Sequence, residues 1–328
     1  MASNTVKPVR LAVARLGSAL PGIRRAGVSS VTRAHPRRGP RAGEARWALL
    51  FLAPTLIGLA VLSAGPILAT LAISLTSWDM LTPPKLVGLD NYVNLLGDAR
   101  FLTALRNTFF FTAVSVPLGL VLALGLAVAV NQHIRGIAVI RTMYFLPLVT
   151  SSTAIAIVWL WIYSPTGLLN HAVAVLGISP QRWVTDPTLA MPSIIAMATW
   201  QELPVNVIIF LAGLQGIPSD YYDAASVDGA GRLARFRYVT LPLLTPSIFF
   251  TGILALIGAF QVFDQIYVMA NPGKPGGATI TLVYFIYESG FRNFHMGLAG
   301  AASWILFLIV AVFTILYFRT QNRWVHYQ

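Results

Sequence analysis

The chain has 328 residues, of which 56% are hydrophobic and 10% charged, with a formal net charge of +12 and no cysteine. A soluble domain carries roughly 25% charged residues, so this composition cannot cover a water-facing surface of that size. The absent cysteine excludes disulfides, zinc–thiolate centres and cysteine nucleophiles.

The positive charge is concentrated at the start, where ten Lys and Arg residues precede Trp47. No aromatic residue lies in that stretch, so it lacks the base-stacking rings that single-stranded nucleic acid binders pair with their charges. Residues 1–46 therefore read as a disordered basic tail beside a negatively charged membrane face, with no nucleic-acid partner. Its Arg-rich, acid-poor make-up is also that of an organellar transit peptide.

A membrane helix needs roughly 20 mostly apolar residues. Six stretches qualify, at 47–76, 107–130, 139–163, 191–215, 242–263 and 298–318, which predicts an all-α membrane domain over 47–328. The first run is too long for the core of a cleaved signal peptide and reads as an uncleaved span, bent at Gly65-Pro66. With the amino terminus inside, seventeen Lys and Arg residues fall on the inner side and six on the outer. The positive-inside bias thus places both termini in the cytoplasm. The outer loop over 83–101 has the apolar spacing of a short interfacial helix. The loops over 164–190 and 271–295, rich in Pro, Gly and aromatics, read as connectors or docking surfaces.

The inner segment over 217–241, between the fourth and fifth spans, carries the most local information. Ser219 or Asp220 can cap a helix, and acids in its first turn suit the positive end of the dipole. Ala224 and Ala225 are strong helix formers with little bulk. Gly229 can take the left-handed conformation that ends a helix. Arg232, Arg235 and Arg237 then mark a second short helix, and Pro242 fits the first position of the fifth span. The predicted product is an L-shaped projection, smooth at the alanines and acidic at Asp223 and Asp228, built to be gripped by another protein.

The pattern Asp223-Ala224-Ala225, then Asp228-Gly229-Ala230, then Leu241-Pro242 resembles the EAA loop of binding-protein-dependent ABC importer permeases. The segments "LPLVTSSTAIAIVWLWIY", "FLAGLQGIP" and "GAFQVFDQIYVM" are similar to the carbohydrate-uptake branch of that family, of maltose and glycerol-phosphate type, and the opening "LFLAPTLIGLAVLSAGPILATLAISLTSWD" is similar to the first of its two paired permeases. The leading acid of the motif is usually Glu and is Asp223 here. The resemblance implies a type I permease fold of six transmembrane helices in a bacterial cytoplasmic membrane. It also implies a second homologous permease, two ATPase subunits, an extracytoplasmic binding protein and a sugar substrate. Asp223, Ala224, Ala225, Asp228, Gly229, Ala230, Leu241 and Pro242 would then couple to the ATPase. No G-x-x-x-x-G-K-[ST] loop occurs in the sequence, so ATP and Mg belong on the partner and this chain is no enzyme. The five His residues are dispersed, which predicts no metal site.

Ionisable and amide groups within spans mark candidate passage residues. Glu202 stands beside Gln201 and Asn206, where Pro204 is expected to interrupt the fourth span. Gln261 and Asp264 stand near the outer end of the fifth. In the third, Ser152 belongs to a run of hydroxyls, and Trp159 offers an apolar face of the kind sugars stack on, as do Trp161, Trp200 and Tyr267. The rival reading is a secondary carrier driven by an ion gradient, although such carriers often show internal repeats, and none is evident here. Apart from Arg141 at the inner edge of the third stretch, no basic residue lies within the predicted spans, which favours a neutral sugar over a phosphorylated one.

Overall fold

The computed structural model describes residues 42–132, 139, 142, 145–269 and 277–325. The basic tail up to residue 41, part of the predicted third span and residues 270–276 of the predicted outer loop lie outside the described residues. Two compact units are distinguished, one ending at Ala60 and one beginning at Val61. In the first, the described element is helix α1, Ala42–Leu59, which runs through Pro54.

The second unit is helical except for one two-stranded ribbon. After a π-helical turn at Ala60–Ala64 come α2 (Gly65–Ser74), β1 (Thr76–Ser77), β2 (Lys85–Leu86), α3 (Asp90–Gly97) and α4 (Ala99–Val130). The strands pair antiparallel, Thr76 with Leu86 and Ser77 with Lys85. The chain continues through α5 (Ser152–Ile162), α6 (Leu168–Val175), α7 (Ala190–Gln215), α8 (Ser219–Val227) and α9 (Arg232–Arg235). A π-helical turn over Phe236–Thr240 leads to α10 (Leu241–Leu243) and α11 (Thr245–Phe260). Then follow α12 (Asp264–Met269), α13 (Leu282–Tyr287), a π-helical turn over Glu288–Arg292, and α14 (Met296–Trp324).

Four stretches are long and apolar enough to cross a membrane, namely Arg46–Ser74, Ala99–Val130, Ala190–Gln215 and Met296–Gln321. The bent pair Arg232–Leu243 and Thr245–Phe260, folded by 65°, makes a fifth if taken as one span. The third predicted stretch, 139–163, appears among the described residues as the shorter apolar helix Ser152–Ile162. Half of the apolar window of α7 is buried inside the chain, against 28% for α4 and 11% for α14. The span that carries the candidate polar residues is therefore the one most enclosed by its neighbours.

The second span starts earlier than the apolar pattern predicts. Asp98 caps α4 by accepting from the backbone N–H of Arg100 and Phe101, so Arg100 and Arg106 ride on its outer turns. A helix of 32 residues is about 48 Å long, well beyond a hydrocarbon core of about 30 Å. Arg100 is held there by an ion pair to Glu288 at 2.5 Å.

Two predicted loops also prove structured. Within 271–295 sits α13, whose Leu282 and Tyr284 are fully buried and join Phe101 and Phe260 in the main core. Within 164–190 sits α6, tied down by Asn170, which accepts from the indole of Trp183 and donates to the Ser164 and Gln181 carbonyls. The short helix expected within 83–101 is α3. Its buried Asn91 donates to the carbonyls of Ser74 and Thr76. A side chain at Gly300 would press on the backbone of Thr70 and Ser74 at 3.2 Å, so glycine permits α14 to approach α2 this closely.

Candidate functional site

The coupling residues named from the sequence lie on an exposed elbow. Helix α8 has no buried residue. It ends in a double hydrogen bond in which the N–H of Ala230 donates to the carbonyl of Ala225 and that of Gly229 to Ser226. Gly229 sits at φ +78° between them, which is the Schellman arrangement that favours glycine. Asp223, Ala224, Asp228 and Gly229 are exposed, while Ala225 and Ala230 are half-buried. Val227, Leu233 and Tyr238 stand almost wholly exposed beside them, so the tip offers apolar contacts as well as carboxylates.

Two details differ from the expectation. The cap position of α8 is Pro218, and neither Ser219 nor Asp220 makes a side-chain cap bond. The buried Ile217 and the fixed φ of proline deliver the chain to the helix start, which leaves both polar side chains exposed. Pro242 does not open the fifth span either. It lies with Leu241 in α10, before the 65° bend, and the apolar helix begins at Thr245. Pro246 supplies the proline of that first turn.

The elbow is braced. The hydroxyls of Tyr222 and Thr240 share a hydrogen bond of 3.1 Å, and Arg235 donates to the Ser226 hydroxyl at 3.1 Å. At the bend, Leu244 is fully buried. A Cβ at Gly213 would meet its side chain at 2.7 Å and overlap Ser247. The end of α7 thus clasps the start of α11.

The candidate passage residues divide into two groups. Gln201 on α7 donates to the Ser152 hydroxyl on α5 at 2.8 Å, and its carbonyl oxygen accepts from Gln265 on α12 at 3.2 Å. Three chain segments meet in this amide–hydroxyl relay. Trp159, two turns along α5 from Ser152, has its ring 5.5 Å from that of Trp200 and 5.2 Å from that of Tyr163. The sequence reading missed Gln265. Glu202 is half-buried on α7 and makes no ion pair among the described residues. Asn206 is buried where α7 faces Gly119 of α4, and Gln261 and Asp264 are exposed at the turn before α12; none of these joins the relay. Pro204 does not interrupt its span. Helix α7 continues through it, because its close packing along α4 holds the helix together across the one missing N–H.

Residues 101–324 match the model of the family described as "Binding-protein-dependent transport system inner membrane component". The chain belongs to this family. It is a multi-pass, non-enzymatic permease subunit of an ABC importer. Among its relatives is the probable ABC transporter permease protein YesP of Bacillus subtilis (strain 168), 39% identical over 283 residues, covering 85% of this chain and 91% of that one. The lactose transport system permease protein LacF of Rhizobium radiobacter is 38% identical, covering 82% and 92%. The trehalose/maltose transport system permease protein MalF of Thermococcus litoralis is 36% identical, covering 84% and 94%. A chain from the crystal structure of a bacterial alginate ABC transporter, solved with an alginate pentasaccharide-bound periplasmic protein, superposes with a TM-score of 0.75 at 23% identity. It covers 85% of this permease and 96% of that chain and supports the fold.

Proposed function

We propose that this permease moves a sugar or sugar-like solute inward across a bacterial cytoplasmic membrane, with both termini cytoplasmic and residues 1–46 as a basic tail. It works beside a second, homologous permease. Two ATPase subunits, carrying ATP and Mg, dock on the elbows, and an extracytoplasmic protein delivers the substrate. Asp223, Ala224, Ala225, Asp228, Gly229 and Ala230 form the docked surface, while Leu241 and Pro242 set the arm that meets the bend. The observation that carries the coupling role is a helix with no buried residue, glycine-capped and braced by two lateral hydrogen bonds, on the turn between two clasped spans. The sugar class is supported by relatives named for lactose and trehalose/maltose and by the pairing of aromatic faces with amide and hydroxyl groups around Gln201, Ser152, Gln265 and Trp159. Glu202, Asn206, Gln261 and Asp264 would line the passage away from this relay.

The test is a gentle-detergent purification of the native, tagged chain with its partners identified by mass spectrometry. Recovery of an ATPase and a second permease, lost on Gly229→Asp with membrane insertion intact, is the expected result. Recovery of the chain alone, from cells that express the ATPase, would leave the lone-carrier reading.

A further inference from the structure

Beside the elbow lies a pocket of about 300 Å³ that neither the docked surface nor the passage uses. Arg232, Arg235, Asn131, Gln132, Tyr222 and Thr240 line it together with the apolar Val128, Leu214 and Phe236. Among the described residues no carboxylate lines it. Among the described residues the single ion pair is Arg100–Glu288, so neither pocket guanidinium is neutralised. Arg235 gives one N–H to Ser226 and keeps the rest of its donor fork. The Tyr222 and Thr240 hydroxyls are spent on each other and on the Arg235 carbonyl, which leaves two guanidiniums beside the Asn131 and Gln132 amides, a donor set that matches a phosphate oxyanion through charge-assisted and bidentate hydrogen bonds.

The depth of the pocket identifies the source of that phosphate. Val128 lies in the last turn of α4 and Leu214 in the last turn of α7, where two spans leave the hydrocarbon. From there a half-open stripe climbs α4 at helical spacing through Val128, Gly125, Val121, Leu118 and Val114. No atom lies within 4 Å of where a Cβ at Gly125 would stand. An exposed apolar stripe notched at a glycine and ending in a cationic pocket suits an acyl chain joined to a charged headgroup.

We infer that this pocket binds the phosphate of an anionic phospholipid of the cytoplasmic leaflet, with an acyl chain along the Gly125 stripe. Since Tyr222 belongs to α8 and Arg235 to the arm beyond it, the bound lipid ties the elbow to the ends of α4 and α7. The leaflet follows from the orientation proposed above, whereas the binding itself does not depend on it.

The test uses the full-length chain in nanodiscs of zwitterionic lipid containing graded phosphatidylglycerol, which offer the anionic lipid on both faces. Bound phosphatidylglycerol is counted by native mass spectrometry for the wild type, for R232Q/R235Q, and for R237Q/R319Q as a charge-matched control outside the pocket. The basic tail is common to all three. Loss of two charge-assisted contacts predicts roughly hundredfold or more weaker binding for the pocket pair, whereas the control loses only the diffuse surface attraction common to both pairs, about thirtyfold at most. Equal losses in both pairs would reduce the effect to diffuse electrostatics and overturn the site. So would an unchanged lipid count in R232Q/R235Q, accompanied by the same fall in melting temperature in neutral and anionic nanodiscs. Inorganic phosphate that stabilises the chain in purely zwitterionic nanodiscs as much as phosphatidylglycerol does would overturn the lipid as its source.

Discussion

Replacing Gly229 separates two reasons why a glycine stands at the tip of the elbow. Its φ of +78° costs a residue with a Cβ roughly 1–2 kcal/mol, and less for Asn or Asp, which tolerate the left-handed region. Nothing in the chain lies within 4 Å of the added Cβ, so the isolated permease has room for any side chain there. If conformation alone mattered, Gly229→Ala would weaken docking by up to roughly thirtyfold, while Gly229→Asn and Gly229→Asp would weaken it about fivefold or less. On the proposed reading a partner surface covers this glycine, and the order reverses. Asp loses most, because it adds bulk and a third carboxylate beside Asp223 and Asp228; Asn follows and Ala loses least. ATP-driven uptake in reconstituted vesicles, with copurified ATPase as the second readout, is expected to fall more than a hundredfold for Gly229→Asp at normal insertion. Uptake near the wild-type rate for Gly229→Asp, or Ala worse than Asn, would refute a docked tip.

Three further outcomes are expected. Gly213→Val forces a side chain into Leu244 and Ser247, and overpacking of this kind costs roughly 1–3 kcal/mol; a lower melting temperature in detergent, with uptake reduced even where the protein survives, checks the clasp. Gln265→Leu leaves the Gln201 carbonyl without its donor, so KM for the solute is expected to rise roughly three- to tenfold while the copurified ATPase is unchanged. The turn at Asp79 should open in acid. Its carboxylate accepts from the backbone N–H and hydroxyl of Thr82 and the N–H of Leu81, and these bonds hold its pKa below the ordinary 3.8. A depressed carboxylate stabilises the folded turn above its unfolded pKa and loses that contribution as pH falls through the folded value. The protection of the Leu81 and Thr82 amides, relative to their intrinsic exchange rates, should therefore fall below about pH 4, and Asp79→Asn should remove that fall.

What the sequence made legible was what depends on neighbours along the chain. Asp228-Gly229 announced a glycine-capped helix end, and the structure places both Schellman bonds there. Long apolar runs announced the membrane helices, since composition alone decides whether a helix is compatible with hydrocarbon. Errors arose where contacts between distant segments override local rules. Pro204 suggests a break only when α7 is read without α4 at its side. The early start of α4 was hidden by Arg100 and Arg106, which interrupt the apolar pattern, although the Asp98 cap was there to be read. Helix α13 is six residues long, too short for a periodic signal, and only burial against Phe101 and Phe260 gives it a place in the core. Gln265 carried no signal, because an amide next to the charged Asp264 gains meaning only when Gln201 approaches from another helix.

The elbow and the relay, identified on unrelated grounds, are joined by one run of chain. From Tyr222 the lateral bond reaches Thr240, then Leu244 sits in the clasp of Gly213 and Ser247, and α11 runs from there to Phe260. One short turn later α12 begins, and it carries Gln265 against Gln201. Because α7 bears both Gly213 and Gln201, the clasp fastens the inner end of α7 to α11 and the relay fastens its middle to α12, one short turn further along the chain. Rocking α11 against α7 about Leu244 would stretch the 3.2 Å bond between Gln265 and Gln201 before it disturbed the apolar core, since a hydrogen bond weakens steeply with distance and angle while dispersion contacts are many and individually small. On the proposed reading this gives the relay a mechanical role as well as a recognition role. It closes when the elbow is at rest and opens when the ATPase moves it, so its amide groups become free to meet a sugar hydroxyl in the state that must accept one.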